Sequence, residues 1–409
     1  MSYKVPNIYG KTVSKKISVN VPGSKSITAR ALLIAAIAHG ESELSGVQYG
    51  DDCSTFIECL KSLGISVKSQ GDTLRITGCG GKLDLKEAKA YVGAAGTAAR
   101  FLPAFLAFQD GRYFLDCSEQ MKRRPVSPLI NALRGAGASF SFEGKESSYP
   151  FSIKGPVKTP AEFSVDISGS SQFLSALLIS AVCSEKPVKI NAQGIHGLNY
   201  VEMTLKMVRS FGASATGGDG VYRVEGEYTG RKYAIEPDVS AACYFYAANK
   251  ILGTDIEVNG VKSDSMQGDY RFIELLKSFD GGTVDMGAFS DQTLTLAAIA
   301  PYFSKPTAIT GVAHIRGQEC DRISAIVQNL RAMQVPCEER TDGVKIYPCD
   351  PRPAKLKTFG DHRVAMSFAL TGLRADGIEI ENPEVCAKTF KDYFKTLDYL
   401  CGNLTRGTD

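Results

Sequence analysis

A mixed α/β fold built from repeated units in two domains is what the sequence predicts, and three observations predict it. The chain has 409 residues, more than one ordinary core fills, so two domains of about 200 residues are expected. A helix end followed by a turn and a short strand recurs as LKSLGISV at 60, LRGAGASF at 133, VRSFGASA at 208, LKSFDGGT at 276, LRAMQVPC at 330 and FKTLDYLC at 394. Between the copies lie β-rich stretches such as TLRITG and GVYRVEG, with the alternation of strands. The spacing is longer than that of solenoid repeats, so each unit holds several strands and helices of its own.

The first element follows VPGSKSITAR, residues 21–30. A phosphate-binding P-loop needs two glycines bracketing four residues before Lys-Ser/Thr, and the first glycine is missing. What remains is a helix start, with Ser24 or Ser26 as cap, Ile27, Ala31, Ile34, Ala35 and Ala38 as the buried stripe and Gly40 as the stop. Ser26 and Arg30 lie four apart and face one way. Lys25 and Arg30 at a positive helix end suit an anion, although from these residues alone a capped helix with two solvated cations is the stronger reading.

Each unit adds a second helix with a small polar entrance: GDDCSTF, GAAGTAAR, SGSSQFLSALLIS, EPDVSAACYFY, FSDQTLTLAAIA and FGDHRVAMSFAL. Helix starts carry unpaired N–H groups and partial positive charge, so several of them converging would make an electropositive pocket without many lysines. Apolar faces are clear in Phe272, Ile273, Leu276 and Phe279, and in Ile323, Ile326, Val327 and Leu330. In the fourth unit only GGTVDMGAFS separates LKSFD from Asp291, so a hairpin expected there is missing.

Composition excludes several classes. A hydrophobic share of 44%, 22% charged residues and a net charge of +3 describe a soluble globular protein with no overall pull towards nucleic acid or membrane, and no basic stripe interleaves with aromatics. Any basic site is therefore local. The 11 cysteines are scattered, without a C-x-x-C pair or an H-E-x-x-H, which points to reduced thiols in a cytosol and to no zinc site or disulfide framework. The start, MSYKVPNIYGKTVSKK, lacks the apolar core of a secretion signal, and no stretch approaches a membrane span.

Eight motifs in order, PGSKSITAR, GAAGTAAR, MKRRP, SGSSQF, SMQGD, ECDR, GDHR and CAKTF, resemble the 5-enolpyruvylshikimate-3-phosphate synthase family of enolpyruvyl transferases over almost the entire chain. The resemblance implies an α/β fold of the α+β type, a two-domain inside-out α/β barrel with three βαβαββ units around a pseudo-threefold axis in each domain. One domain would span 21–235 and carry Lys25, Arg124 and Ser170 to Gln172. The other would combine 1–20 with 236–409 and carry Asp291, Glu319, Arg322, Arg363 and Lys388. It further implies a cytoplasmic monomer without metal or organic cofactor, closing on its substrates and sensitive to glyphosate.

The family moves the enolpyruvyl group of phosphoenolpyruvate onto the 5-hydroxyl of shikimate 3-phosphate through a tetrahedral intermediate, releasing phosphate by C–O cleavage. Two polyanions brought together out of water need fixed cations and many donors. By resemblance, Lys25, Arg124, Gln172, Arg322, Arg363 and Lys388 take the donor, with Gly96 leaving room at its helix entrance. Ser26, Arg30, Ser170, Ser171, Gln172, Tyr200, Asp291, His314 and Gln318 take the acceptor. Asp291 is placed to accept the hydroxyl proton and Glu319 to serve the vinyl carbon, with Lys25 and Lys388 as rival proton carriers.

The residues alone leave other readings open. Asp291 is also a plain N-cap, Glu319 a loop partner of Arg316, Ser170 and Ser171 an ordinary cap before Leu174, Leu177 and Leu178, and Arg124 a solvated cation before a proline. GDHR argues more strongly for a ligand, since His362 and Arg363 sit in a first turn that disfavours cations. Arg322 makes the same choice, partly relieved by Glu319 and Asp321. Ala94, Gly197, His314 and Gln318 depart from the family's usual Asn, Ser, Asn and Lys, with His196, His314 or Arg316 as candidates to compensate. Those departures define two alternatives: a paralogue using a different acceptor, with or without a phosphate, and a non-catalytic anion-binding relative.

Overall fold

The computed structural model describes residues 2–12, 16–71, 73–158 and 161–405. Two compact units divide the chain, Gly23–Glu236 and the pair Met1–Pro22 with Pro237–Asp409.

Gly23–Glu236 holds three four-stranded sheets of one topology. Their strand orders are Lys232–Ala234, Glu41–Ser45, Thr73–Thr77, Ser66–Gln70; then Glu87–Tyr91, Arg112–Asp116, Phe151–Lys154, Ser139–Phe142; then Glu162–Asp166, Val188–Gln193, Val221–Glu225, Ser214–Gly218. In each, the first two strands are parallel and the last two form an antiparallel hairpin. Parallel neighbours need a crossover, and a helix supplies it: Ala98–Ala107 in the second sheet and Gln172–Ser180 in the third. Strand alternation sets the buried face, as in Phe163 and Val165 against exposed Glu162 and Ser164.

The crossover helices are core elements. Ala98–Ala107 is buried along its whole length, and Lys25–Ile37 from Ile27 onwards. The five-residue stripe expected for Lys25–Ile37 is therefore too narrow, because the helix packs against other helices as well as a sheet. Its cap is Ser24, whose hydroxyl accepts the Ile27 N–H at 3.5 Å, and it closes at Ala38 rather than Gly40. Outside lie the amphipathic helices Asp51–Ser62, Ser127–Gly135 and Leu198–Ser210, which end in the recurring LKSLG-type turns. GDDCSTF opens the same helix that LKSLG closes, so it is no separate element.

The other unit carries sheets of three sizes. Lys16–Val19 pairs in parallel with Asp255–Val258 alone. Gly282–Asp285, Thr307–Thr310, Gly343–Ile346 and Cys337–Arg340 repeat the four-stranded pattern, and Ser2–Lys4, Ile378–Glu381 and Ala354–Leu356 make three strands. The helix Tyr270–Ser278 runs straight into Gly282–Asp285 with no hairpin between them. FKTLDYLC lies inside the helix Tyr393–Thr405 and makes no turn or strand. It has no glycine to break the helix, and Leu397, Leu400, Cys401 and Leu404 keep a buried helical spacing. Among the described residues the sheets stay separate, without closing into a barrel, and no helix is long and apolar enough to cross a membrane.

Candidate functional site

Within Gly23–Glu236, the first two turns of Lys25–Ile37 carry two cations, Lys25 and Arg30. The Lys25 ammonium lies 3.4 Å from Asp52 Oδ2, an almost fully buried carboxylate in the first turn of Asp51–Ser62. Arg30 is only 2% exposed. Its Nε donates to Thr204 Oγ1 at 2.8 Å and its Nη1 to the Ser26 carbonyl at 2.9 Å. Nη2 donates to Ser175 Oγ at 3.2 Å and to the Tyr200 carbonyl at 3.3 Å. The guanidinium also sits over the rings of Phe101 and Tyr200, 5.6 and 5.9 Å from their centroids.

All those oxygens are neutral, and no carboxylate among the described residues pairs with Arg30. Burial pulls its guanidinium down to about 10. A buried cation held by neutral acceptors keeps its charge available to an anion. Ser171 and Tyr200 stand beside Gly197: a Cβ there would lie 2.5 Å from Ser171 Oγ and 3.7 Å from the Tyr200 ring. Gly197 also has φ +64°, a conformation that costs other L-residues about 1–2 kcal/mol. Both the backbone conformation and the Ser171 hydroxyl disfavour a serine at this position. Ser170 caps locally, its hydroxyl accepting the Gln172 N–H at 3.3 Å, whereas Ser171 makes no capping bond.

Gly96 and Arg124 are neighbours. A Cβ on Gly96 would meet Arg124 Nη1 at 3.0 Å and Nη2 at 3.2 Å, so glycine is what lets this guanidinium lie against the backbone. Arg124 Nε is buried with no hydrogen-bond partner among the described residues. The loop is braced by buried Arg100, which donates to the Gly96 carbonyl at 3.2 Å and to the Pro125 carbonyl at 2.8 Å.

In the unit containing Pro237–Asp409, one guanidinium organises the cluster. Arg322 opens the helix Arg322–Ala332 and is 1% exposed. Nε donates to Asp361 Oδ2 at 2.8 Å, Nη1 to Asp291 Oδ1 at 3.1 Å and to Gln318 Oε1 at 2.8 Å. Nη2 donates to Glu319 Oε2 at 2.8 Å and to Asp361 Oδ1 at 3.4 Å. Burial alone would pull Arg322 down, but Asp361, Glu319 and Asp291 outweigh it and hold the group above its ordinary value. All five N–H directions of the guanidinium end on protein oxygens.

Around this hub, the Arg363 guanidinium donates to Asp291 Oδ2 at 3.0 Å and the Lys388 ammonium lies 3.1 Å from Glu319 Oε1. Asp361 caps His362–Gly372 by accepting the Arg363 N–H at 2.9 Å. Asp291 belongs to the turn Gly287–Gln292, and the cap position of the following helix Thr293–Ile299 is Gln292. Glu319 is no partner of Arg316, which binds Asp321 and Glu339, each at 2.9 Å. His314 Nε2 lies 2.8 Å from Ser290 Oγ, next to Asp291 in sequence. Gln318 carries no charge and its amide oxygen accepts from Arg322, while Arg316 is neutralised by Asp321 and Glu339.

The structure thus gathers Ser26, Arg30, Ser171 and Tyr200 into one cluster, Gly96 with Arg124 into another, and Asp291, Gln318, Glu319, Arg322, Arg363 and Lys388 into a third. Among the described residues no side-chain hydrogen bond ties Ser170 or Gln172 to the first of these. Sequence reasoning missed Thr204 and Ser175, and it passed over Arg100, which closes GAAGTAAR, and Asp52, which lies inside GDDCSTF. No group of three or more metal-ligating side chains comes together among the described residues.

A family model described as EPSP synthase (3-phosphoshikimate 1-carboxyvinyltransferase) matches residues 10–397. A 3-phosphoshikimate 1-carboxyvinyltransferase of Nostoc sp. is 38% identical over 402 residues, covering 92% of this chain and 95% of the relative. One from Halalkalibacterium halodurans, named 3-phosphoshikimate 1-carboxyvinyltransferase 2, is 38% identical over 94% of this chain and 91% of its own. Two solved structures share the fold: an EPSP synthase from Acinetobacter baumannii (TM-score 0.82, 22% identity, 100% and 99% of the two chains) and the enolpyruvyl transferase NikO from Streptomyces tendae (0.74, 16%, 98% and 97%).

Proposed function

The chain belongs to the EPSP synthase family, and from that membership we infer that it transfers the enolpyruvyl group of phosphoenolpyruvate to the 5-hydroxyl of shikimate 3-phosphate, releasing phosphate, in the shikimate pathway. The observation that carries the chemistry is Asp291, whose two oxygens are fixed by Arg322 at 3.1 Å and Arg363 at 3.0 Å. A carboxylate held at both oxygens keeps one orientation as a proton arrives.

The reaction needs three proton movements. As the acceptor oxygen bonds to C2 of the donor, its proton leaves and C3 gains one; as the C–O bond to phosphate breaks, C3 gives a proton back. Asp291 takes the hydroxyl proton. Glu319, bridged between Arg322 and Lys388, serves C3, with Lys25 and Lys388 able to relay. The donor's anionic groups fall to Lys25, Arg124, Gln172, Arg363 and Lys388. Arg322 reaches the donor only by releasing one of its protein partners, and its standing task is to hold Asp291 and Glu319.

For the acceptor Arg30 supplies charge, Ser26, Ser170, Ser171, Gln172 and Tyr200 supply hydroxyl and amide donors, and His314 and Gln318 are further proposed contacts. Phosphate release from phosphoenolpyruvate, measured with shikimate 3-phosphate and with shikimate, tests this: turnover is expected with the phosphorylated acceptor. Equal or better turnover of plain shikimate would overturn the assignment.

Gly96→Ala is expected to raise KM for phosphoenolpyruvate about tenfold, roughly 1.4 kcal/mol, with kcat less affected. The added methyl pushes on Arg124 Nη1 and Nη2, and steady-state kinetics with the donor varied would show it. An unchanged KM would remove Arg124 from the donor site.

A further inference from the structure

Beside Asp291 stands a second carboxyl that the proposed chemistry leaves unused. Asp269 ends the SMQGD segment and precedes the helix Tyr270–Ser278, but caps it with no side-chain bond. It is 3% exposed. Its Oδ2 accepts from Ser240 Oγ and, at 2.9 Å, from Gln292 Nε2. Gln292 directly follows Asp291, and its Oε1 accepts the Thr295 hydroxyl at 3.0 Å. The carboxyl is therefore tied to the turn that presents Asp291.

The charged and titratable groups facing Asp269 come from four elements. Asp291 comes from the turn Gly287–Gln292, with Arg322 beyond it, and Arg363 from His362–Gly372. The Cys243 thiol, from Val239–Leu252, reaches the Asp269 carbonyl at 3.6 Å, and Asp238 stands at the start of that helix. Burial first, and then the like charge of Asp291, raise the Asp269 carboxyl to about 6, against Arg363 and the two hydrogen bonds.

We propose that Asp269 is a positioning residue for the proton acceptor: through Gln292 it fixes the Asp291 turn, and its negative charge behind Asp291 raises that carboxylate's proton affinity during turnover. This rests on Asp291 acting as the base. When Asp269 is protonated, Asp291 is a weaker base; when Asp269 ionises, Asp291 becomes a stronger one. Activity is thereby linked to a group that touches no substrate.

The Asn variant tests the charge alone, because its amide oxygen can accept from Ser240 and Gln292 as Oδ2 does. In the parent, kcat/KM for shikimate 3-phosphate is expected to climb through about pH 6. Asp269→Asn should lose that climb, running close to the parent near about pH 5 and about tenfold below it near about pH 8. Ser240→Ala removes a bond that favours the ionised form, so its climb should move to higher pH.

A purely structural role would lower the rate by one factor at all pH and leave the climb in place. A parent-to-Asn ratio constant over this range, with an unmoved profile in Ser240→Ala, overturns the proposal, and the Ser240 variant decides alone if Asp269→Asn fails to fold. If Asp291→Asn keeps most of the parent's kcat, the base assignment itself fails. If it collapses kcat while the two profiles stay fixed, only the role of Asp269 fails.

Stability gives a second readout. A carboxyl raised to about 6 in the folded chain binds more protons there than in the unfolded one, so its contribution is complete below the ordinary carboxyl range and is lost as pH rises through about 6. Asp269→Asn should therefore gain stability relative to the parent as pH rises.

Discussion

Asp291→Asn is expected to lower kcat about 10²- to 10⁴-fold while KM for phosphoenolpyruvate moves far less. The carboxamide has the same outline but cannot take up a proton, so the acceptor hydroxyl loses its base at the moment its oxygen attacks. A smaller structural cost accompanies this. Arg322 and Arg363 each donate to one oxygen of Asp291, and the amide nitrogen must face one of them, donor against donor. Single-turnover quench of the phosphate-releasing step separates chemistry from binding. A variant within about threefold of the parent kcat would take Asp291 out of proton transfer.

Arg322→Met should be among the most damaging changes in Pro237–Asp409, removing about 3–5 kcal/mol of stability. Methionine fills much of the volume but leaves Asp291, Glu319 and Asp361 without the cation that all three share. Each is at least mostly shielded from water, with side-chain exposures of 19%, 7% and 0%, so solvent cannot take over the lost donors. Both proton-handling carboxylates lose their orientation at once, and kcat should fall with stability. Urea unfolding monitored by intrinsic tyrosine signal and circular dichroism measures the first effect; an unchanged midpoint would show that the guanidinium is not what holds these acids.

Much of this was legible before the fold, for reasons that can be located. The capped starts at Ser24, one of the two serines offered, and at Asp361 are local chemistry, readable from a polar residue ahead of an apolar run, whereas the cap at Asp321 read only as charge relief for Arg322. Five of the six recurring helix ends carry Gly, Pro or a polar turn, and each is followed by a strand; the sixth, FKTLDYLC, imitates them in composition but keeps a helical burial pattern. The cysteine and charge arguments needed no geometry at all.

What sequence could not supply were partners chosen by packing. Arg322 and Asp361 are far apart along the chain and meet only when the helices Arg322–Ala332 and His362–Gly372 are placed. Thr204 and Ser175 look like ordinary helix residues until Arg30 lies on them. Gln318 reads from sequence as an acceptor contact in place of the usual Lys, and only packing brings its side chain onto Arg322. The stripe on Lys25–Ile37 was drawn too narrow because periodicity reports one buried face, and this helix is enclosed on all of them.

The pair Lys16–Val19 and Asp255–Val258 has a consequence of its own. With no hairpin in that repeat, two short strands make the entire sheet, and among the described residues neither has a second neighbour. Each margin is a ready template for a strand from another molecule, so the outward row matters more here than in the four-stranded sheets. That row is Lys16, Ser18, Asp255 and Glu257, alternating with buried Ile17, Val19, Ile256 and Val258, and Lys16 meets Glu257 at 2.8 Å. The charges there contribute little to folding; their weight lies in solubility, by keeping the smallest sheet from seeding edge-to-edge association.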